Sequence, residues 1–162
     1  MTSLQSVQTD LPADHYRITV TSTTNPAFAD LKLAYDWVSD VWNESEYMLE
    51  LHKSLREITP SVGDKVVFLK KFDRASTSEQ AIEWAKGNGY RLAFPAEREA
   101  FSKANPGLQR KFWIVDLGSF IDSGGNRRYV PVLSGRGDER GLGNRWFELE
   151  WDADRRFLFV RV

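Results

Sequence analysis

The chain has 162 residues, 41% of them hydrophobic and 13% aromatic, with a formal net charge of -1. That composition supports one compact core and excludes a disordered chain, and the near-zero charge argues against a general nucleic-acid or anionic-membrane surface. The absence of cysteine excludes disulfides, thiol nucleophiles, thiolate zinc sites and lipidated cysteines.

The first ten residues, MTSLQSVQTD, carry neither the charged start nor the apolar run of a signal peptide. No apolar run approaches the ~20 residues of a spanning helix. The expectation is a cytoplasmic protein, or one carried on a virion assembled in the cytoplasm. Tyr16, Ile18 and Val20 alternate with Arg17 and Thr19, which predicts a half-buried strand. Asn25-Pro26 predicts a helix start, with Phe28, Leu31, Tyr35, Val38 and Trp42 on one face. Asn43 and Glu46 predict a capping box for a second helix, striped by Met48, Leu51, Leu55 and Ile58 and ended by Pro60. Thr59–Gly63 is the softest boundary. Residues 1–60 are therefore read as a strand and helical extension, and 61–162 as the main domain.

Val66–Leu69 predicts a short strand, and Ser76 with Glu79 a capped helix through Ile82 and Trp84, stopped at Gly87-Asn88-Gly89. Tyr90–Ala93 crosses briefly. Pro95 starts another helix with a charged exposed face, closed by Asn105-Pro106-Gly107. Phe112–Phe120 is β-prone, and Arg128–Leu133 carries Pro131, which predicts an edge or bulged strand. Ser134–Gly143 reads as an irregular Gly-rich loop. Arg145–Trp151 alternates, with Phe147, Leu149 and Trp151 on one side and Glu148 and Glu150 on the other. Asp152-Ala153-Asp154 turns the chain, and Arg156–Val162 is apolar on both faces, as a central strand is.

The helix AIEWAKGNGYRL, the helix on AEREAF, a tryptophan-bearing strand and a terminal aromatic strand follow an order that resembles the C-type-lectin fold in its disulfide-free form. The resemblance covers Val62 to Val162. It implies an α+β fold with two helices on a small, mostly antiparallel sheet. More specifically, Arg140-Gly141-Leu142, Trp146-Phe147, Trp151, Arg156-Phe157-Leu158 and Val160-Arg161 resemble the ends of variable proteins of diversity-generating retroelements. Gly89-Tyr90-Arg91, the run Leu108–Phe112 and the run Ile114–Ser119 resemble that family's scaffold.

In that family an error-prone reverse transcriptase rewrites adenines at the 3′ end of the gene. The resemblance implies a ligand-binding display protein with a hypervariable region at about residues 134–156. The spared frame would be Trp146, Phe147, Trp151, Arg156, Phe157 and Leu158. The changing positions would be among Arg136, Asp138, Gly143, Asn144, Arg145, Asp152, Asp154 and Arg155, with Arg140, Glu148 and Glu150 also on the ligand surface. An Asn codon changed only at adenines cannot become Glu, so Glu148 and Glu150 are either fixed or derive from other template codons. The implied partner is a protein or glycan, with no cofactor, catalytic residue or required metal.

Other chemistry is weighed against plainer readings. Glu148, Glu150, Asp152 and Asp154 are oxygen donors of the kind calcium takes, but no partner triplet accompanies them, and a solvated acidic face is the simpler reading. A small hydrolase using Glu148, Glu150 and Asp152 is the rival function. A virus-particle assembly protein with Phe28–Ile58 as its interface is a third. His15 and His52 lack ligand spacing, and Arg136-Gly137-Asp138 is read as a turn. Arg127, Arg128, Arg136, Arg140 and Arg145 lie near tryptophans, a single-strand-binding mixture that the interspersed acids disfavour.

Overall fold

The structure, a computed structural model, describes residues 11–43 and 58–162. The expected second N-terminal helix falls on residues 44–57, outside the described residues. Strands β1 (His15–Val20), β2 (Trp37–Val38) and β3 (Gly63–Lys71) come first, with helix α1 (Phe28–Ala34) between β1 and β2 and a 3-10 turn (Asp40–Asn43) after β2. Next are β4 (Ser76–Thr77), α2 (Ser78–Gly87), β5 (Tyr90–Leu92), α3 (Pro95–Ala104) and α4 (Leu108–Lys111). The rest is strand: β6 (Ile114–Val115), β7 (Ile121–Asp122), β8 (Arg128–Arg136), β9 (Glu139–Trp146), β10 (Glu150–Trp151) and β11 (Arg156–Arg161).

The fold is mixed α+β. Its nine-stranded sheet runs β1-β3-β11-β6-β8-β9-β2, with β5 on β11 and β7 on β8, and β10 pairs with β4 apart from it. Among the described residues, only β11–β6 and β2–β9 are parallel. The sheet is larger than the small one expected, because β1 and β2 supply its two edges and the β8–β9 hairpin runs eight paired positions.

Strand β11 sits between β3 and β6, and its two apolar faces feed two cores. Leu158 and Val160 join Ile18, Leu31, Tyr35, Trp42 and Phe101. Phe157 and Phe159 join Ala81, Ile82, Val115, Val132, Phe147 and Trp151. A central strand buried on both faces needs that pattern.

Several local expectations are corrected. Helix α1 starts at Phe28 after Ala27 and ends at Ala34, so Val38 and Trp42 belong to β2 and the 3-10 turn. The α2 capping box is Thr77 with Gln80, one residue beyond the expected pair. Pro131 does not mark an edge. It pairs opposite Asn144 on β9, while its carbonyl accepts from the Asp116 N–H on the other side. In an extended strand the proline nitrogen points the same way as that carbonyl. There it faces the gap between the short partners β6 and β7, so no ladder bond is lost.

Ser134–Gly143 is no irregular loop. Arg136 pairs with Glu139 across Gly137-Asp138, and Gly137 has φ 61°. Glycine at the first central position is what a two-residue II′ hairpin requires. Likewise Phe112–Phe120 is strand only at Ile114–Val115, because Asp116 turns the chain by accepting the Gly118 N–H at 2.9 Å.

Helix α3 does not simply show its charges to water. Glu97 and Arg98 are buried. Glu97 receives two bonds from Arg91, at 2.8 and 2.7 Å, and Arg98 reaches Glu99, Asp116 and Ser119. Close by, Gly118 packs against the backbone of Ala93, where a Cβ would overlap the Ala93 carbonyl oxygen. Gly118→Ala is expected to cost about 3 kcal/mol in denaturant unfolding, since backbone cannot swing aside as a side chain can.

Candidate functional site

The ladder register of the β8–β9 hairpin sorts its side chains into two faces. Val130, Val132, Ser134 and Arg136 pair with Arg145, Gly143, Gly141 and Glu139, so these eight share one face. Tyr129, Pro131, Leu133 and Gly135 pair with Trp146, Asn144, Leu142 and Arg140 on the other. Of the expected ligand residues in this ladder, parity puts Arg136, Gly143 and Arg145 on the first face and Arg140 and Asn144 on the other.

On the first face, the Arg145 and Arg155 guanidinium carbons stand 4.6 and 3.9 Å from the centroid of one indole, Trp113. Arg155 also pairs with Asp154 at 3.1 Å and with Asp152 at 3.5 Å, both acids being exposed. The register that pairs Ile114 with Leu133 and Leu133 with Leu142 sets Trp113 level with Ser134 and Gly141. Arg136 is the next residue along that face, and Asp138 sits at the exposed hairpin tip. A second ring, Trp37, lies over Gly141 and Gly143 and remains 40% exposed. Any Cβ at Gly141 would enter that indole, so glycine is required there.

The assembled surface therefore holds Arg145, Asp152, Asp154 and Arg155 around Trp113 and Gly143 beneath Trp37, with Arg136 and Asp138 further along the hairpin at its exposed tip. Opposite charges and hydrogen-bond donors beside two half-open indoles are suited to gripping a partner surface. Sequence reasoning missed both tryptophans. The signal for Trp37 was present in Gly141 and Gly143, since alternate glycines in a strand mark close approach by another group. Nothing local pointed to Trp113, whose two arginines come from distant strands.

The remaining candidates do other work. Arg140 turns under the sheet, its guanidinium 5.0 Å from the Tyr35 ring centroid, donating to Ala34 and Ser102 carbonyls. Its backbone N–H donates to Asp36, while its buried Nε has no partner among the described residues. Asn144 accepts from the Ser39 hydroxyl at 2.7 Å. These two residues tie α1 and β2 to the hairpin. Glu148 accepts from the Arg128 N–H at 2.9 Å and pairs with its guanidinium at 2.7 Å. Arg128 and Arg136 end β8 about 26 Å apart, so Glu148 lies far from the hairpin tip. Glu150 is exposed on β10, opposite Thr77.

Beneath the surface, Phe147, Trp151, Phe157 and Leu158 are buried. The Trp151 indole N–H donates to Ser78 Oγ, which donates to the Phe147 carbonyl. Trp146 stacks on Tyr129 with centroids 4.2 Å apart, and Arg156 lies 4.3 Å over Phe112. Rings thus carry the backbone on which the exposed residues stand.

Among the described residues, no group of three or more His, Asp or Glu side chains is placed to hold a metal ion. No helix among them is long and apolar enough to cross a membrane. Comparison with protein-family models, with curated proteins and with solved structures finds no match.

Proposed function

We propose that the chain is a ligand-binding display protein of C-type-lectin-like fold whose C-terminal surface is diversified by a retroelement. The observation that carries this reading is the gathering of Arg145, Arg155, Asp152 and Asp154 around Trp113, over a ring-built frame and on the hairpin whose tip carries Arg136 and Asp138. Side chains of that kind change with little effect on folding, since surface substitutions away from packing shift stability by about 0.5 kcal/mol or less. A rigid backbone also lowers the ordering cost of binding.

The order of α2, α3, the strand following Trp113 and the terminal strand β11 supports the fold assignment. The diversified set is narrowed to positions 136, 138, 143, 145, 152, 154 and 155. Arg140, Asn144 and Glu148 join the frame, because each holds another element in place. A fixed Glu148 also agrees with the inability of adenine changes to make Glu from an Asn codon. The partner is a protein or glycan surface, and no catalysis is assigned. A hydrolase would need Glu148, Glu150 and Asp152 convergent, whereas Glu148 is turned onto Arg128.

Sequencing the locus tests the proposal. The expected result is an adjacent reverse-transcriptase gene and a near-copy of this gene's 3′ end, differing at adenines within codons 136–155. A locus with neither feature overturns it.

A further inference from the structure

The far side of the sheet ends in an edge strand beside a groove. Strand β1 is its edge and pairs only with β3 among the described residues. The ladder phase fixes which backbone groups are spent. Leu69 N–H donates to the Asp14 carbonyl, and the register continues Tyr16 with Val67 and Ile18 with Lys65. Bonded pairs alternate along an antiparallel ladder, so Tyr16, Ile18 and Val20 turn their backbone groups to β3. Those of Arg17 and Thr19 point outward with no partner among the described residues. An unpaired edge of this length is a template for another strand unless charge, bulge or cover blocks it.

Beside that edge runs a groove of about 610 Å³ between β1 and α3. Ala96, Ala100 and Ala104 lie along its α3 wall and leave room for side chains. Two cations border it: Arg17 on the strand and Lys103 on the helix, both exposed and with no carboxylate within ion-pair distance among the described residues. The one acid in the groove, Glu99, is already engaged by the Tyr35 hydroxyl at 2.8 Å and by Arg98 at 2.9 Å. Free backbone donors and acceptors select an extended chain, and Arg17, on the face turned away from α3, selects acidic side chains at alternate positions of it.

We propose that β1 and α3 form a docking groove for an acidic, extended segment of another protein, which adds to the sheet as a further strand. Alternate residues of that segment face the α3 alanines, and those between them meet Arg17. The β8–β9 face is on the other side of the sheet order, past β3, β11 and β6, so both sites can be occupied together. A display protein held at β1 would keep its ligand face outward.

The probe is a capped seven-residue peptide with valine at odd positions and glutamate or threonine at even ones, titrated into the full chain. Binding is read by calorimetry and by amide exchange at Arg17 and Thr19. The expected result is saturable binding with slowed exchange at both amides. Thr19→Pro removes one outward N–H and no ladder bond, so it keeps the fold and weakens binding at least tenfold. Arg17→Glu weakens the acidic peptide about tenfold and strengthens a version with lysine at the even positions. No binding, unchanged exchange at Arg17 and Thr19, indifference to both substitutions, or self-association through β1 that excludes the peptide would each overturn the proposal.

Discussion

Replacing Arg98 with methionine lowers the unfolding free energy by about 3–5 kcal/mol, the cost of stranding a buried charge. Arg98 and Asp116 are 2% and 0% exposed. The guanidinium donates to Glu99 at 2.9 Å and to Asp116 at 3.2 Å, and the Tyr35 hydroxyl donates to Glu99. Burial works against the Arg98 charge, but the Glu99 and Asp116 carboxylates outweigh it and raise its pKa. Burial, then the Glu99 charge, raises the Tyr35 hydroxyl above its usual range. With methionine at 98, Asp116 keeps its Gly118 bond and loses its counter-charge. Adding Asp116→Asn recovers part of the loss, because a neutral amide needs no counter-charge. Denaturant unfolding of the two variants checks this, and a loss below ~1 kcal/mol for Arg98→Met refutes it.

The same cluster sets a pH dependence. Burial pushes the Asp116 carboxyl up to about 6 from 3.8, against the pull of Arg98 and the Gly118 N–H. The folded pKa lies above the unfolded one. The native state therefore binds more protons between about pH 4 and 6, and stability from this group is lost as pH rises through that window. Relative to Asp116→Asn, the parent chain is expected to lose stability on going from pH 4 to pH 7. Equal pH profiles for the two would show that the carboxyl is already ionised at pH 4.

The second large effect separates frame from face. Phe157→Ala is expected to cost about 3–5 kcal/mol, as a buried ring leaves a cavity, and to lower Tm by roughly 10 °C for a chain of this size. Phe157 is 1% exposed and meets Phe72, Trp151 and Phe159. By contrast, alanine at Arg136, Asp138, Arg145 and Asp152 together is expected to cost under about 2 kcal/mol. Its largest part is the Arg145 contact with Trp113, ~0.5–1 kcal/mol at an exposed site. Thermal unfolding of both proteins decides the matter. If the quadruple variant falls as far as Phe157→Ala, the exposed residues carry the fold, and a diversified surface is untenable.

Fold and surface differ in how far they were legible. The terminal strand, the Pro95 start of α3 and the stop at Gly87-Asn88-Gly89 followed from periodicity and capping, whereas the expected alternation over Arg145–Trp151 is broken: β9 ends at Trp146, and Leu149 is exposed while Phe147 and Trp151 are buried. The candidate face was legible only in part. Arg136, Arg145 and Arg155 were named, yet Arg140 and Asn144 were named with them. One residue of register sends a side chain to the opposite face, and the II′ turn at Gly137-Asp138 sets that register.

What the sequence determined by itself was local: the helices α2 and α3 and their stops, the strand β1, and that β11 is buried on both faces. Those signals lie within a few residues of one another, in the spacing of apolar side chains and in the φ preferences of glycine and proline. Tertiary structure decided what depends on partners far along the chain. It placed Arg145 and Arg155 on Trp113, set Trp37 over two glycines, and gave Arg98 a buried counter-charge in Asp116. A charge or ring carries no mark of its eventual neighbour, because that neighbour is supplied by sheet order and ladder register.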